Sequence, residues 1–305
     1  SFELAQTYAQ RLLAEPRSGS YRLAPPHRTQ VEILPGTLYR FMTWGGPENR
    51  TVTLSLFLGI GGLGGALWEQ EMRTLERLGG FEHPALPEFL DGGRLEGVDG
   101  DAGAAYVRTF LDGKPATDEE FARVVAADRS QVLPHLWHLA DALGLLHASN
   151  VSHRSLWPGA LLVQSPKAGT ASEIGAIKLA RFEMSALLAN LFNSRDNGAT
   201  YEHLRDAYRT EDGRSLLYTP PERLRFVLAR PDGELGAPPG DVFSLGMIAA
   251  EWLVTGPPPP VPPSSYDEVL SYQLEVRRRV NVEARDLPGQ LIEMLHAMLD
   301  PRPSE

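Results

Sequence analysis

His153-Arg154-Ser155-Leu156-Trp157-Pro158-Gly159-Ala160-Leu161-Leu162-Val163 is the stretch on which the fold turns. A helix candidate leads into it: residues 133–147 carry Leu136, Leu139, Leu143 and Leu146 on one stripe. Downstream come Ile177-Lys178-Leu179-Ala180-Arg181-Phe182-Glu183, then Tyr218-Thr219-Pro220-Pro221-Glu222-Arg223-Leu224, then Asp241-Val242-Phe243-Ser244-Leu245-Gly246, and last Leu299-Asp300-Pro301-Arg302-Pro303-Ser304. Residues 241–254 are apolar nearly all round, which predicts a buried central helix, and 118–127, 266–280 and 287–299 predict further helices. Upstream the texture changes. Residues 31–34, 37–43 and 50–58 are rich in β-branched and aromatic residues and separated by Gly- and Pro-containing turns, which predicts strands. Residues 87–90 and 104–111 predict two more strands, residues 67–78 a helix ahead of them, and 3–15 a short helix at the start of the chain.

Composition narrows the function classes. The chain has 305 residues, 42% apolar and 22% charged, which suits a folded globular protein of about two domains or two lobes. Lys and Arg number 29 against 39 Asp and Glu, a net charge of −10, which argues against nonspecific binding to nucleic acid or an anionic membrane. Cysteine is absent, which excludes disulfides, thiolate metal sites and cysteine nucleophiles and fits a reducing, cytoplasmic setting. No apolar run reaches membrane-span length. Only Lys114, Lys167 and Lys178 are lysines, a bias that fits a GC-rich bacterial genome.

Gly59-Ile60-Gly61-Gly62-Leu63-Gly64 fits a G-x-G-x-x-G phosphate cradle between a strand and a helix. A dinucleotide fold needs continued strand–helix alternation, and the second half of this chain offers helices instead. A strand-to-helix connection is therefore the expected role of this loop. His135, His138, His147 and His203 have no metal-ligand company in sequence, so no metal site is expected.

The five quoted segments, in their order and spacing, resemble the motifs of the eukaryotic-like protein kinase superfamily over about residues 30–305. The resemblance implies an α+β, bilobal protein-kinase-like fold. Its small lobe, about 30–109, would be an antiparallel sheet with one main helix, and its large lobe, about 110–305, mostly helical. Residues 1–29 would form a helical extension or linker.

The same resemblance implies that the chemistry is lost. Ser155 stands at the catalytic aspartate, and a neutral hydroxyl cannot accept the substrate proton. Ala160 stands at the metal-holding asparagine and Trp157 at the catalytic-loop lysine. Arg181 replaces the metal-binding aspartate, a reversal of charge, and Glu183 the following glycine. Ser55 replaces the strand lysine that pairs with ATP phosphates, and no lysine precedes Lys114. One preorganised electrostatic group contributes about 3–4 kcal/mol, so three losses predict a rate penalty beyond about 10⁶-fold if additive. Residues that match the family's framework are kept: Glu71 and Leu75 on the small-lobe helix, His153, Arg154, Phe182, Asp241, and Glu222 with Arg302 as its expected partner. An ion pair between Arg181 and Glu71 is a further expectation, since each lacks its family partner.

The expected function is that of a pseudokinase: a non-catalytic regulatory or scaffolding module with a degenerate ATP site and no cofactor or metal. It would act through protein partners or neighbouring domains of the same polypeptide, as bacterial signalling proteins do. The absent initiator Met and the end just after Arg302 fit a domain of a larger protein. The alternative is a divergent serine/threonine-kinase-like enzyme that holds a nucleotide through an unorthodox cation such as Arg40 or Arg181. Residues 183–221 correspond to the activation segment, with 184–192 expected as a short helix.

Overall fold

The computed structural model describes residues 2–15, 21–23, 30–45, 50–97, 102–111, 113–166, 174–193, 202, 205, 213–228, 238–259 and 265–300. The chain divides into two compact units, Ser1–Glu82 with Leu86–Asp112, and His83–Ala85 with Gly113–Glu305.

The first unit is an antiparallel sheet with a helix on each face. Its strands are β1 (Tyr21–Leu23), β2 (Gln30–Leu34), β3 (Leu38–Gly45), β4 (Arg50–Leu58), β5 (Glu88–Leu95) and β6 (Ala104–Phe110), in the order β1-β3-β4-β6-β5 with β2 also on β3. Side chains alternate across β4. Leu54, Leu56 and Leu58 point into a core shared with Tyr39, Phe41, Leu95 and Tyr106. Helix α1 (Phe2–Ala14) closes that core with Ala5, Tyr8, Ala9 and Leu12, all fully buried. Tyr8 and Leu12 alone contribute about 2 kcal/mol each by leaving water. Residues 2–14, which the sequence placed in an extension, are thus part of this unit's core.

Helix α2 (Leu63–Leu78) packs on β4, β5 and β6 from the opposite side, where a Cβ on Gly92 would meet the Met72 sulfur at 2.3 Å. It starts four residues before the position the apolar spacing gave. The turn that feeds it explains the glycines: a Cβ on Gly64 would lie 1.8 Å from the Leu58 carbonyl oxygen, and one on Gly65 2.1 Å from that of Ile60. Close backbone approach, rather than room for a phosphate, demands glycine at these two positions.

The second unit is mainly helical. It contains α3 (Glu119–Ala127), α4 (Leu133–Ala148), α5 (Phe182–Asn193), α6 (Pro221–Leu228), α7 (Pro238–Ala250), α8 (Tyr266–Glu283) and α9 (Gly289–Met298), with a small sheet of β7 (Lys114–Pro115), β8 (Leu161–Val163) and β9 (Ile177–Leu179). Local chemistry sets the helix starts. Asp118 caps α3 by accepting from the Glu120 N–H, and Ser265 with Glu268 forms a capping box on α8. The central helix α7 is buried from Gly240 onward at every residue but Val242, close to what its composition predicts. It does not run on to Val254 as a plain α-helix. Residues Glu251–Thr255 form one π-helical turn ended by Gly256 at φ 68°, and Arg129 Nη1 donates to the Leu253 and Val254 carbonyls at 2.8 and 3.0 Å.

Candidate functional site

The loop between α4 and β8 is organised by one carboxylate. Asp241, fully buried in the first turn of α7, accepts from the His153 N–H at 2.7 Å, the Arg154 N–H at 2.7 Å and His147 Nε2 at 3.1 Å. Burial pushes this carboxyl up, and the His147 bond, the nearby Arg223 and the backbone donors outweigh it, so its pKa lies below the usual value. His153, also fully buried, is held neutral by burial. Its Nε2 donates to the Ala180 carbonyl at 2.8 Å while Nδ1 accepts from the Ser155 N–H at 3.4 Å, which fixes one tautomer. The His153 ring lies 5.0 Å from that of Phe182. His153, Arg154, Phe182 and Asp241, named from sequence as framework residues, therefore meet in one network.

The positions expected to have lost their chemistry sit on that network. Ser155 is 6% exposed and Ala160 fully buried. The Trp157 ring lies flat against the turn, so that a Cβ on Gly159 would fall 2.2 Å from it. Its indole N–H is buried without an acceptor. Arg181 adopts φ 70°, a left-handed conformation unusual for a side-chain-bearing residue. That turn folds its guanidinium back, and Nε donates to Glu183 Oε1 at 2.7 Å, with Glu183 1% exposed. Ser155, Ala160 and Arg181 thus present a hydroxyl, a methyl and a neutralised cation. Glu71, the expected partner of Arg181, belongs to the other unit.

In the first unit, Ser55 alternates with Leu54 and Leu56 and so rises from the face that carries α2. Glu71 and Leu75, one helical turn apart on α2, are 6% and 2% exposed. The cross-strand partner of Ser55 is Arg40 on β3. Ser55 thus brings a neutral hydroxyl to this face, with Arg40 as its register neighbour.

The end of the 183–221 segment is pinned by side chains the sequence did not single out. Ser244 on α7 donates to the Tyr218 carbonyl at 2.8 Å, and Gln273 on α8 donates to the Leu217 and Thr219 carbonyls at 3.1 and 2.8 Å. The Tyr218 hydroxyl donates to Glu251 in the π-turn. Burial pushes the Glu251 carboxyl up to about 7 against the lowering effect of that bond and of Arg214. Arg223, 1% exposed, donates to the Arg154 carbonyl, and burial with the neighbouring Arg223 charge holds the Arg154 guanidinium below its usual value. Glu222 lies in the first turn of α6. Its expected partner Arg302 lies outside the described residues. Helix α5 spans the predicted 184–192 stretch, with Leu187, Leu188 and Leu191 buried.

A pocket of about 200 Å³ in the second unit is lined by Phe121 and Val124 of α3, Lys114 of β7, Val163 at the end of β8 and residues that follow it, and it includes none of Ser155, Ala160 or Arg181. Among the described residues no group of three or more His, Asp or Glu is arranged to hold a metal ion, and no helix is long and apolar enough to cross a membrane.

No protein-family model matches the chain. It is similar to Aurora kinase A-A of Xenopus laevis, with 26% identity over 215 residues, 69% of this chain and 44% of that kinase. The chain thus spans less than half the length of that relative. Its architecture, a sheet-rich N-terminal part followed by helices, is compatible with an α+β kinase-like fold.

Proposed function

We propose that this chain is a pseudokinase domain, a regulatory or scaffolding module without phosphoryl-transfer activity that works through contacts with protein partners or with neighbouring domains of a larger polypeptide. The observation that carries the reading is the Arg181–Glu183 pair. A kinase needs an acidic, metal-holding group at this point of the chain. Here the point is a cation, satisfied within two residues and held on the buried network around His153 and Asp241. Ser155, Ala160 and Ser55 agree in direction, since none can hold a charge. Retention of the framework residues beside them is the pattern of a fold kept for a purpose other than catalysis. A bacterial source and a cytoplasmic site belong to the same proposal.

A second reading is favoured by one observation. Arg40 is the register partner of Ser55, so a guanidinium rises beside the position of the missing lysine. A divergent nucleotide-binding enzyme would use it. Thermal unfolding of the chain with ATP, with and without Mg²⁺ or Mn²⁺, separates the two. The pseudokinase reading expects no saturable rise in Tm. A rise at micromolar ATP that disappears in Arg40→Ala would establish the second.

A further inference from the structure

We propose that the outer face of α4 is a self-association surface whose partner is the same face of a second copy of this chain, in antiparallel register. The residues of α4 that turn away from the core are apolar. Trp137 is 74% exposed and Leu133 37%, and Ala140, Gly144 and Ala148 are exposed beside them. On a helical wheel these five fall within one arc, and the single charge at its edge is Asp141, which holds His83 Nε2 of its own chain at 3.2 Å. A 74%-exposed tryptophan in the middle of a four-turn helix is a large apolar area left in water, and tryptophan is the residue that most often anchors interfaces.

The arrangement of sizes identifies the occupant. The large residues, Leu133 and Trp137, lie in the first half of the helix, and the small ones, Ala140, Gly144 and Ala148, in the second. A two-fold axis near Ala140 and Asp141 sets Trp137 of one copy on Gly144 of the other and Leu133 on Ala148, each large side chain over a small one. Isologous pairing needs this self-complementarity. Trp137 and Gly144 are two turns apart, roughly 10 Å, so both indoles are accommodated without meeting. Antiparallel helices also oppose their dipoles favourably. Stable interfaces bury roughly 800 Å² on each partner, and a contact made by a single four-turn helix implies a weak, concentration-dependent dimer. It does not depend on the catalytic status of the chain.

The test is sedimentation equilibrium of the whole chain over micromolar to several hundred micromolar, with Gly144→Arg and Trp137→Ala as variants. A Cβ at Gly144 has nothing within 4 Å, so the arginine leaves the monomer fold intact, and unchanged circular dichroism and Tm check this. We expect reversible dimerisation weakened at least tenfold by either variant. The chain has no cysteine, so single cysteines report register cleanly. Ala140→Cys, next to the axis, is expected to form a disulfide-linked dimer on mild oxidation, and Leu133→Cys is not. A chain that stays monomeric at every concentration leaves the face to a different protein and overturns the proposal. So does a dimer indifferent to both variants, or crosslinking at Leu133 in place of Ala140.

Discussion

Arg181 Nε donates to Glu183 Oε1 at 2.7 Å, across a residue that itself packs against His153. The pair is a short internal ion pair in which the carboxylate is almost completely buried and the guanidinium side chain is 13% exposed. Cutting one partner from such a pair costs more than the pair is worth, because the other charge stays behind in a poor dielectric. We expect Arg181→Ala to lower stability by about 3 kcal/mol in urea unfolding, and the double variant Arg181→Ala/Glu183→Leu to recover most of it. Equal losses in the single and double variants would mean that the pair does not act as a unit.

Asp241 serves three donors from a fully buried position. Replacing it with alanine leaves two backbone N–H groups and His147 without their acceptor. We expect Asp241→Ala to destabilise the second unit by about 3 kcal/mol or more, read as a lower denaturation midpoint. The depressed pKa gives a direction with pH: the ionised carboxylate stabilises the fold at neutral pH, and that contribution is lost as pH falls through the folded-state pKa.

Glu251 behaves in the opposite sense. Its folded pKa of about 7 lies above the ordinary 4.5, so the folded chain holds this proton more tightly than the unfolded chain does. Its contribution is fully present below pH 4.5, declines as pH rises through the interval, and is lost by about pH 7, with an amplitude on the order of 3 kcal/mol. Glu251→Gln should flatten the stability–pH profile between those values. Tyr218→Phe, which removes the hydrogen bond that lowers the pKa, should extend the decline to higher pH.

Much of this was legible in the sequence, and the remainder has physical reasons for being hidden. The central helix shows itself in an apolar run from Val242 to Val254, and the residues of the network around Asp241 were named by the resemblance to kinase motifs. The π-turn at Glu251 has no period of its own in the sequence. The partner of Arg181 was hidden by geometry. Glu183 lies in the first turn of α5, where side chains two residues apart do not face each other, and the left-handed backbone at Arg181 brings Glu183 to it. Helix α1 was readable as a helix, but its place on the α1 face of β4 follows from which leucines alternate inward, a tertiary fact. Arg223 and Gln273 serve backbone carbonyls far along the chain, and such bonds leave no motif.

The glycine loop gives a prediction that separates fold from ligand. Gly64→Ala and Gly65→Ala each force a methyl into a carbonyl oxygen and should cost several kcal/mol, while Gly61→Ala, with open space around it, should be nearly neutral. Differential scanning calorimetry reads all three. A phosphate cradle would instead make Gly61 sensitive in a titration with NAD, which is expected to give no heat for any of these proteins.

The central claim, that the chain has the framework of a kinase without its chemistry, is tested most directly by incubating the purified chain with Mg²⁺ and γ-phosphate-labelled ATP at stoichiometric enzyme. No label is expected on the chain or on a generic protein substrate, and no release of labelled phosphate above the rate without protein. Mg²⁺-dependent transfer of label that is abolished by Arg40→Ala or Arg181→Ala would contradict it.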